Sequence, residues 1–219
     1  MSTASASRFS FPVSLDVAGR RCVVAGGGPL AQDKADALRA AGADVVELAP
    51  GGFSLDLLDG AFLLIVSGED DTDAAATFAE AQRRGVLTNT LDDIAHCHFA
   101  FPALVQRGPL KLAISTGGKA PALARRVRLD LEDRLPEPLG ALVEAYADAR
   151  QAALPREVPF EVWACAWQTA VADIEGLLAL CEDGQPDQAR DRILATVLDA
   201  LGRCNGAGHG PAGLATEAS

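Results

Sequence analysis

The sequence predicts an α/β fold, a doubly wound parallel sheet, followed by an all-helical C-terminal domain. Three observations support this prediction. A glycine-rich turn follows a short apolar strand, strand and helix patterns alternate as far as residue 116, and no strand pattern occurs beyond it. Alternation of this kind predicts parallel strands, because each helical crossover returns the chain to the same edge of the sheet.

The first strand–helix–strand unit lies within the first fifty residues. RCVVA (21–25) is a β-branched run and predicts the first strand. Residues 31–41 carry helical periodicity with small apolar residues on one face, and Gly42 is suited to end that helix. DVVELA (44–49) predicts the second strand.

The next elements continue the alternation. AFLLIV (61–66) predicts a fully buried strand, residues 71–84 a helix, and GVLTNT (85–90) a further strand. PLKLAIST (109–116) predicts the last strand of the sheet. The following helix is predicted over 121–135, because proline is a favoured first helical residue.

The composition changes after residue 136. We therefore predict a nucleotide-binding α/β domain over 10–136, a helical domain over 137–202 and a disordered tail over 203–219. Trp163 and Trp167 are one helical turn apart and are expected in the helical core or at a subunit interface.

Charge and cysteine content limit the partners and the cellular compartment that we expect for the protein. The formal net charge is −11 and the pI is about 4.7, which argues against nucleic acid or an anionic membrane as a partner. Five scattered cysteines without a CxxC pair are typical of reduced thiols. The polar N-terminus lacks the pattern of a signal peptide, and no apolar run has the length of a membrane span. A cytoplasmic protein is expected.

The glycine turn predicts a dinucleotide site. Gly26, Gly28 and Ala31 match G-x-G-x-x-G/A between a strand and a helix, the pattern of Rossmann-like folds. Its backbone amides and helix dipole would hold a pyrophosphate. The residues expected to bind the cofactor are Gly26, Gly28, Pro29, Leu30, Ala49, Pro50 and Asn89.

The second strand lacks the usual acidic residue at its end. Ala49 and Pro50 occupy that place, and Glu47 lies two residues earlier on the same side of the strand. Glu47 either reaches the ribose of the cofactor or faces another partner. The sequence therefore leaves NAD and NADP both open.

A second candidate site is basic. It comprises Ser115, Thr116, Gly117, Gly118 and Lys119, with Arg125 and Arg128 on one face of the following helix. Free amides at the helix start and the positive charge predict an anion site. The alternative is a solvated helix face with an Arg128–Glu132 pair, and Leu123, Val127, Leu131 and Leu135 are expected as its apolar stripe. Arg107 and Lys111 add charge nearby in the sequence.

His96 and His98 would point to the same side of an extended segment, with Cys97 opposite. Two imidazoles could bind a metal ion, but no third ligand is evident nearby in the sequence. We therefore assign no metal ligands and expect ordinary loop or cleft residues here.

Three segments in this order resemble one known family. FPVSLDVAGRRCVVAGGGPLAQDKADALRAAGADVVELAP, NTLDD and FPALVQRGPLKLAISTGGKAPALARRVRLDLED are similar to precorrin-2 dehydrogenase/sirohydrochlorin ferrochelatase, the N-terminal module of siroheme synthase. The likeness covers roughly residues 10–140 and, more loosely, the helical region to about 200. The STGG-x-x-PALAR segment, together with the other two, is far more specific than any single motif.

The resemblance implies NAD-dependent oxidation of precorrin-2 to sirohydrochlorin, then insertion of Fe²⁺, a substrate, to give siroheme. It implies the activities of an oxidoreductase and a lyase, and a homodimer built partly through the C-terminal helices. The basic segment would then bind the carboxylates of the tetrapyrrole.

The resemblance also assigns the catalytic residue. Asp92 matches the family's catalytic aspartate in N-x-x-D after a strand, where one carboxylate could act as general base in both reactions. The alternative is that Asp92 or Asp93 only caps the next segment. Asn89 would bond the nicotinamide end of the cofactor or close the strand.

The sequence departs from the family on the nucleotide side. The connection over 49–61 is too short for the helix and edge strand usual in the family, so the sheet is expected to lack that strand. SGEDD (67–71) replaces the usual A-T-D-D turn, and Glu47 stands in a strand that is usually apolar. The short connection motivates one alternative, a chelatase without dehydrogenase activity. A non-catalytic nucleotide- or tetrapyrrole-binding module and the oxidation of another small molecule are also open, because the fold does not fix the substrate.

Overall fold

The first part of the chain forms a four-stranded parallel sheet. The computed structural model describes residues 9–68, 72–153 and 158–206. The strands are β1 (Arg21–Ala25), β2 (Asp44–Leu48), β3 (Leu63–Val66) and β4 (Leu87–Thr90). They pair in the order β2-β1-β3-β4, and every pair is parallel, which confirms the predicted Rossmann-like sheet.

Alternate strand residues pack against helices on opposite faces. On one face, Cys22, Val24 and Ile65 share a core with the small residues Ala31 and Ala35 of α1 (Gly28–Ala40). The other face packs on α2 (Ala74–Arg84), and its buried residues are Val23, Leu58, Leu64, Val66, Ala81 and Val86. Helices on both faces make the sheet doubly wound, as predicted.

Both helices begin at residues other than those predicted. Helix α1 starts at Gly28, so the predicted start at residue 31 is three residues too late. Helix α2 starts at Ala74, because the carboxylate of Asp73 accepts the N–H of Ala76 and caps it there. The acidic residues 69–71 of the SGEDD segment lie outside the described residues.

The crossover between β2 and β3 is short. Its one regular element in the described structure is a 3₁₀ turn over Leu55–Leu58, and the side chain of Leu58 is buried in the core beneath α2. No strand lies between Leu48 and Leu63. The expected loss of an edge strand beside β2 is therefore confirmed.

One predicted strand belongs elsewhere. The segment over 109–116 contains β6 (Leu110–Ile114), which pairs antiparallel with β5 (Ala103–Arg107) in a separate two-stranded sheet. The prediction that it continues the parallel sheet is wrong. Only two residues separate β5 from β6, which permits a hairpin, whereas a parallel neighbour needs a long crossover.

The rest of the chain is helical. The helices are α3 (Pro121–Arg134), α4 (Leu139–Ala152), α5 (Phe160–Ala170), α6 (Ile174–Glu182) and α7 (Pro186–Gly206). Leu142, Trp163, Leu177, Ile193 and Val197 form much of their core. Helix α7 includes 203–206, so the predicted tail does not begin at 203; residues 207–219 lie outside the described residues.

The described chain divides into two compact units. The first contains 9–102 and 116–120, and the second contains 103–115 and the helices from residue 121 onwards. The sequence placed the boundary near 136. The units divide earlier because α3 packs on the β5–β6 hairpin.

Within the described residues, one helical stretch, Phe160–Glu182, has the length and apolar composition that would suffice to cross a membrane. It consists of two helices joined by a 3₁₀ turn at Val171–Asp173, and α5 and α6 each contact α7. Only 22% of the apolar window in this stretch is buried within the described structure.

Candidate functional site

The glycine turn after β1 is held in place by the residue that follows β3. Gly26 and Gly28 adopt φ angles of +100° and +84°, which side-chain-bearing residues rarely adopt. Ser67 donates its hydroxyl to the carbonyl of Gly27 at 3.1 Å. A Cβ on Gly26 would lie 2.7 Å from Cβ of Ser67, so Gly26 is required by the fold itself.

The turn leads directly into the first turn of α1, which contains Gly28, Pro29 and Leu30. No side chain caps this helix start, and its first amides have no partner inside the helix. The turn lies at the carboxyl edge between β1 and β3, where the strand order reverses. These amides and the helix dipole fit a pyrophosphate, as the motif predicts.

Ala49 and Pro50 are exposed and follow β2 at the same edge of the sheet. The carbonyl of Ala49 accepts the N–H of Gly52 at 3.0 Å, which closes a turn there. Both residues border the open side of the sheet that lacks the edge strand.

Glu47 faces another partner. Its carboxylate lies 2.5 Å from the guanidinium of Arg39 in the last turn of α1, and this bond raises the pKa of Arg39. The carboxylate is thus held over the face of the sheet that packs on α1. This geometry favours the second of the two interpretations of Glu47 and leaves the ribose without an acid from β2.

Asn89 closes its strand. Its side chain is almost completely buried in β4, and Nδ2 donates to the carbonyl of Phe99 at 2.8 Å. The amide holds the segment after β4 against the sheet. Of the two roles considered for Asn89, closing the strand is the one that its hydrogen bond serves.

Asp92 has an unusual backbone. Its φ is +65°, and no other non-glycine residue in the described chain has a positive φ. It occupies the third position of a turn that the N–H of Asp93 closes on the carbonyl of Thr90 at 3.1 Å. Its side chain is exposed, and no residue of the described ranges bonds its carboxylate. A strained turn that presents a free carboxylate is typical of functional sites.

Asp93, and not Asp92, has the capping role. Its carboxylate accepts the N–H of Ala95 at 3.1 Å and lies 2.6 Å from Nδ1 of His96. The hydrogen bond with His96 lowers the pKa of the Asp93 carboxyl. Of the two roles considered for this pair, capping therefore applies to Asp93, and the carboxylate of Asp92 is not used for it.

The two histidines contact the same ring, although the segment is not extended as predicted, because Ile94–His96 forms a 3₁₀ turn. His98 stacks on Phe78 with ring centroids 4.4 Å apart, and its Nδ1 accepts the N–H of Thr88 at 3.1 Å. His96 meets the edge of Phe78 at 5.8 Å, while Cys97 is buried. Over the part of the chain that the structure describes, no three metal-ligating side chains form a group.

The loop at Thr116–Ala120 is held by Thr116. The N–H of Lys119 donates to its carbonyl at 3.1 Å, and the N–H of Ala120 donates to its hydroxyl at 3.0 Å. The expectation of free amides is therefore wrong for these two residues. Gly117 and Gly118 have φ angles of +61° and +79°, and the side chain of Lys119 is exposed. Ser115 follows β6 and belongs to the second unit.

The arginines of α3 differ in their contacts. Arg128 pairs with Glu132, as the solvated-face alternative predicts, and Arg125 is exposed without an ion pair among the described residues. Leu123 and Val127 are 57% and 36% exposed, so the predicted apolar stripe is not buried at the start of the helix. Of the two arginines expected to bind substrate, Arg125 is the one without an ion pair among the described residues and therefore remains available to an anionic ligand.

Arg107 is not part of the basic surface. Only 6% of it is exposed, and its guanidinium donates to the carbonyls of Leu135 and Glu132 at the end of α3, at 2.9 and 2.6 Å. Its Nη1 also lies 3.3 Å from the carboxylate of Glu137. Arg107 therefore does not add its charge to the basic segment, because its donors stabilise the helix end.

A cavity of about 460 Å³ lies at the opposite, amino edge of the parallel sheet. Its two arginines are already engaged. Arg84 pairs with Asp59 and Glu80, and Arg20 lies 4.1 Å above the ring of Phe62. This cavity is therefore not suited to an anionic ligand.

Sequence reasoning missed the role of Ser67 and the pairing of Asp93 with His96. Ser67 follows an apolar strand, and the serine itself carries no motif. An aspartate three residues before a histidine is a local signal for such a pair, but it is common on surfaces.

Two sequence families match consecutive parts of the chain. Residues 13–103 match a family described as putative NAD(P)-binding. Residues 107–134 match one described as sirohaem biosynthesis protein, central. The first match covers the parallel sheet with its glycine turn and Asp92, and the second covers the β6 strand and α3.

Curated relatives and a solved structure agree with these matches. A siroheme synthase of Photorhabdus laumondii is 33% identical over 202 residues, 83% of this chain and 42% of the relative. Siroheme synthase 1 of Pectobacterium atrosepticum is 40% identical over 152 residues, 61% of this chain and 32% of the relative. A structure titled SirC, precorrin-2 dehydrogenase, has a TM-score of 0.58 at 20% identity over 86% of this chain and 99% of that chain, and supports the fold.

Proposed function

On the premise that this chain belongs to the siroheme synthase family and spans less than half the length of its curated relatives, we propose that it oxidises precorrin-2 to sirohydrochlorin with NAD⁺ as the hydride acceptor. The observation that carries the proposal is Asp92. Its carboxylate is exposed in a left-handed turn at the edge of the sheet that also holds the glycine turn.

The cofactor would lie on the glycine turn. The amides of Gly28 and Leu30 would hold its pyrophosphate, and Ala49 and Pro50 would border the adenosine on the open side of the sheet. The nicotinamide supplies the hydride acceptor. NAD is proposed from the likeness to the family. Because Glu47 is paired with Arg39, the carboxyl end of β2 offers no free carboxylate to distinguish NAD from NADP, and both cofactors are tested.

Asp92 would act as general base. Oxidation removes a hydride and a proton from the substrate, and the exposed carboxylate can accept the proton. In the first unit, Thr116, Gly117, Gly118 and Lys119 would contact the substrate. In the second unit, Ser115, Arg125 and Arg128 would attract its carboxylates. Arg125 is the better candidate of the two arginines, because Arg128 already pairs with Glu132.

The finer parts of the proposal are Fe²⁺ insertion into sirohydrochlorin, a homodimer and a cytoplasmic location. The four described cysteines form no disulfide, which is consistent with a reducing compartment. A chelatase without dehydrogenase activity is the second candidate. The short crossover after β2 favours it, because it removes a wall of the adenosine pocket.

The decisive experiment incubates the protein with precorrin-2 and either NAD⁺, NADP⁺ or no cofactor. The expected result is NADH formation together with the absorption spectrum of sirohydrochlorin. Sirohydrochlorin is then supplied with Fe²⁺ or Co²⁺ and insertion is followed spectroscopically. Metal insertion without any cofactor-dependent oxidation would favour the chelatase. Neither reaction, with ligand binding intact, would identify a binding module.

A further inference from the structure

The turn after β4 contains a carboxylate–imidazole pair to which the proposed function assigns no role. Oδ2 of Asp93 lies 2.6 Å from Nδ1 of His96. The side chain of His96 is 28% exposed, and within the described ranges its second ring nitrogen, Nε2, has no hydrogen-bond partner. A carboxylate bound to Nδ1 orients the ring and leaves Nε2 for proton exchange.

Both the backbone and the ring of His96 are held in place. Its backbone N–H donates to the carbonyl of Asp93 at 3.2 Å, and its backbone carbonyl accepts the hydroxyl of Thr90 at 3.1 Å. Phe78 of α2 meets the ring at its edge. A side chain held in this way needs no reorganisation before it exchanges a proton.

The neighbouring histidine provides a contrast inside the same segment. Nδ1 of His98 accepts the N–H of Thr88, and the ring stacks on Phe78. That imidazole is engaged by the backbone of a buried strand. His96 instead has a carboxylate partner at Nδ1, and it ends the 3₁₀ turn over Ile94–His96 that follows the Asp92 turn, four residues after Asp92.

We propose that His96, oriented by Asp93, is the proton relay of this site. The inference rests on the proposed oxidation of precorrin-2. In that reaction the hydride carries both electrons to NAD⁺, and the substrate proton passes to the carboxylate of Asp92. His96 takes this proton at Nε2 and releases it to water, which restores Asp92 for the next turnover.

The kinetic test compares His96→Gln with His98→Gln. The first variant is expected to lose about 10- to 100-fold in kcat with little change in KM, and the second to lose less than about threefold. Imidazole added to His96→Ala is expected to recover part of the rate. Loss in both variants alike, or no rescue by imidazole, would overturn the relay and leave a structural role.

A test without turnover uses diethyl pyrocarbonate, which modifies accessible imidazoles, with detection by mass spectrometry. His96 is expected to react faster than His98, and added sirohydrochlorin is expected to protect His96. Equal reactivity of both histidines, or no protection, would contradict the assignment. A wild-type protein without oxidation would refute the proposed function, whereas a fully active His96→Gln protein would refute the relay alone.

Discussion

Two adjacent aspartates in the turn after β4 have different tasks. Asp93 is bound to Ala95 and His96, which lowers its pKa, and it shapes the segment that follows. Asp92 has a left-handed backbone that aims an unpaired carboxylate outward. The second arrangement costs conformational energy and makes no contact in the described chain that offsets it, which is why we assign the chemistry to Asp92.

The backbone and the carboxylate of Asp92 can be tested separately. Asp92→Asn is expected to unfold at the same urea concentration as the wild type, because asparagine tolerates a positive φ. Asp92→Ala is expected to lose about 1 kcal/mol of stability. Both variants are expected to lose precorrin-2 oxidation. Wild-type turnover by Asp92→Asn would remove the general-base role.

At the scale of elements, the nucleotide turn depends on a strand that is distant in the sequence. Ser67, at the end of β3, bonds to Gly27 and lies where a side chain on Gly26 would be. The absence of a side chain at Gly26 is therefore needed for the packing of the sheet, apart from any need of a ligand for close approach.

Gly26→Ala is expected to destabilise the first unit by about 2 kcal/mol, through the contact with Ser67 and the positive φ. The double variant Gly26→Ala/Ser67→Gly is expected to recover only the steric part of this loss. Thermal unfolding of both single variants and the double variant measures the coupling. Strict additivity would show that the two residues do not interact.

Arg107 joins the hairpin to α3 and α4. Its donors satisfy the last carbonyls of α3, and Gly140 of α4 lies against the turn after β5 so closely that a Cβ there would be 2.9 Å from Arg107 backbone atoms. The second unit depends on this buried cation more than on any surface pair.

Arg107→Met is expected to cost about 3 kcal/mol of stability, because the partly buried carbonyls of Leu135 and Glu132 lose their charged donor. The matched control is Lys111→Met, on the exposed face of the same hairpin, and its expected change is below about 0.5 kcal/mol. Urea unfolding measures both. Equal effects of the two substitutions would show that the guanidinium contacts contribute little.

At the scale of the whole molecule, the helical unit exposes several large apolar side chains. Phe160, Val171 and Ile174 are 76%, 49% and 47% exposed. Apolar surface of this kind is typical of an interface, which is consistent with the proposed homodimer.

Sedimentation velocity is expected to show a dimer. Phe160→Glu combined with Val171→Glu is expected to shift it to a monomer, because charges at a buried interface are costly. Leu55→Glu, an exposed leucine in the first unit, is the control and is expected to remain dimeric. A monomeric wild type at every concentration would exclude the homodimer.

The amino-acid sequence by itself determined the parallel sheet, its helices, the glycine turn and the position of Asp92, because these features depend on residues close together in the chain. Only the tertiary structure decided which polar groups remain available to a ligand. Ser67 bonds to Gly27 across 40 residues, and Arg107 bonds to Leu135 across 28. The Arg39–Glu47 pair and the bond from Asn89 to Phe99 are also partnerships between separate segments. No local period of two or 3.6 residues encodes them, since they arise from how the elements pack.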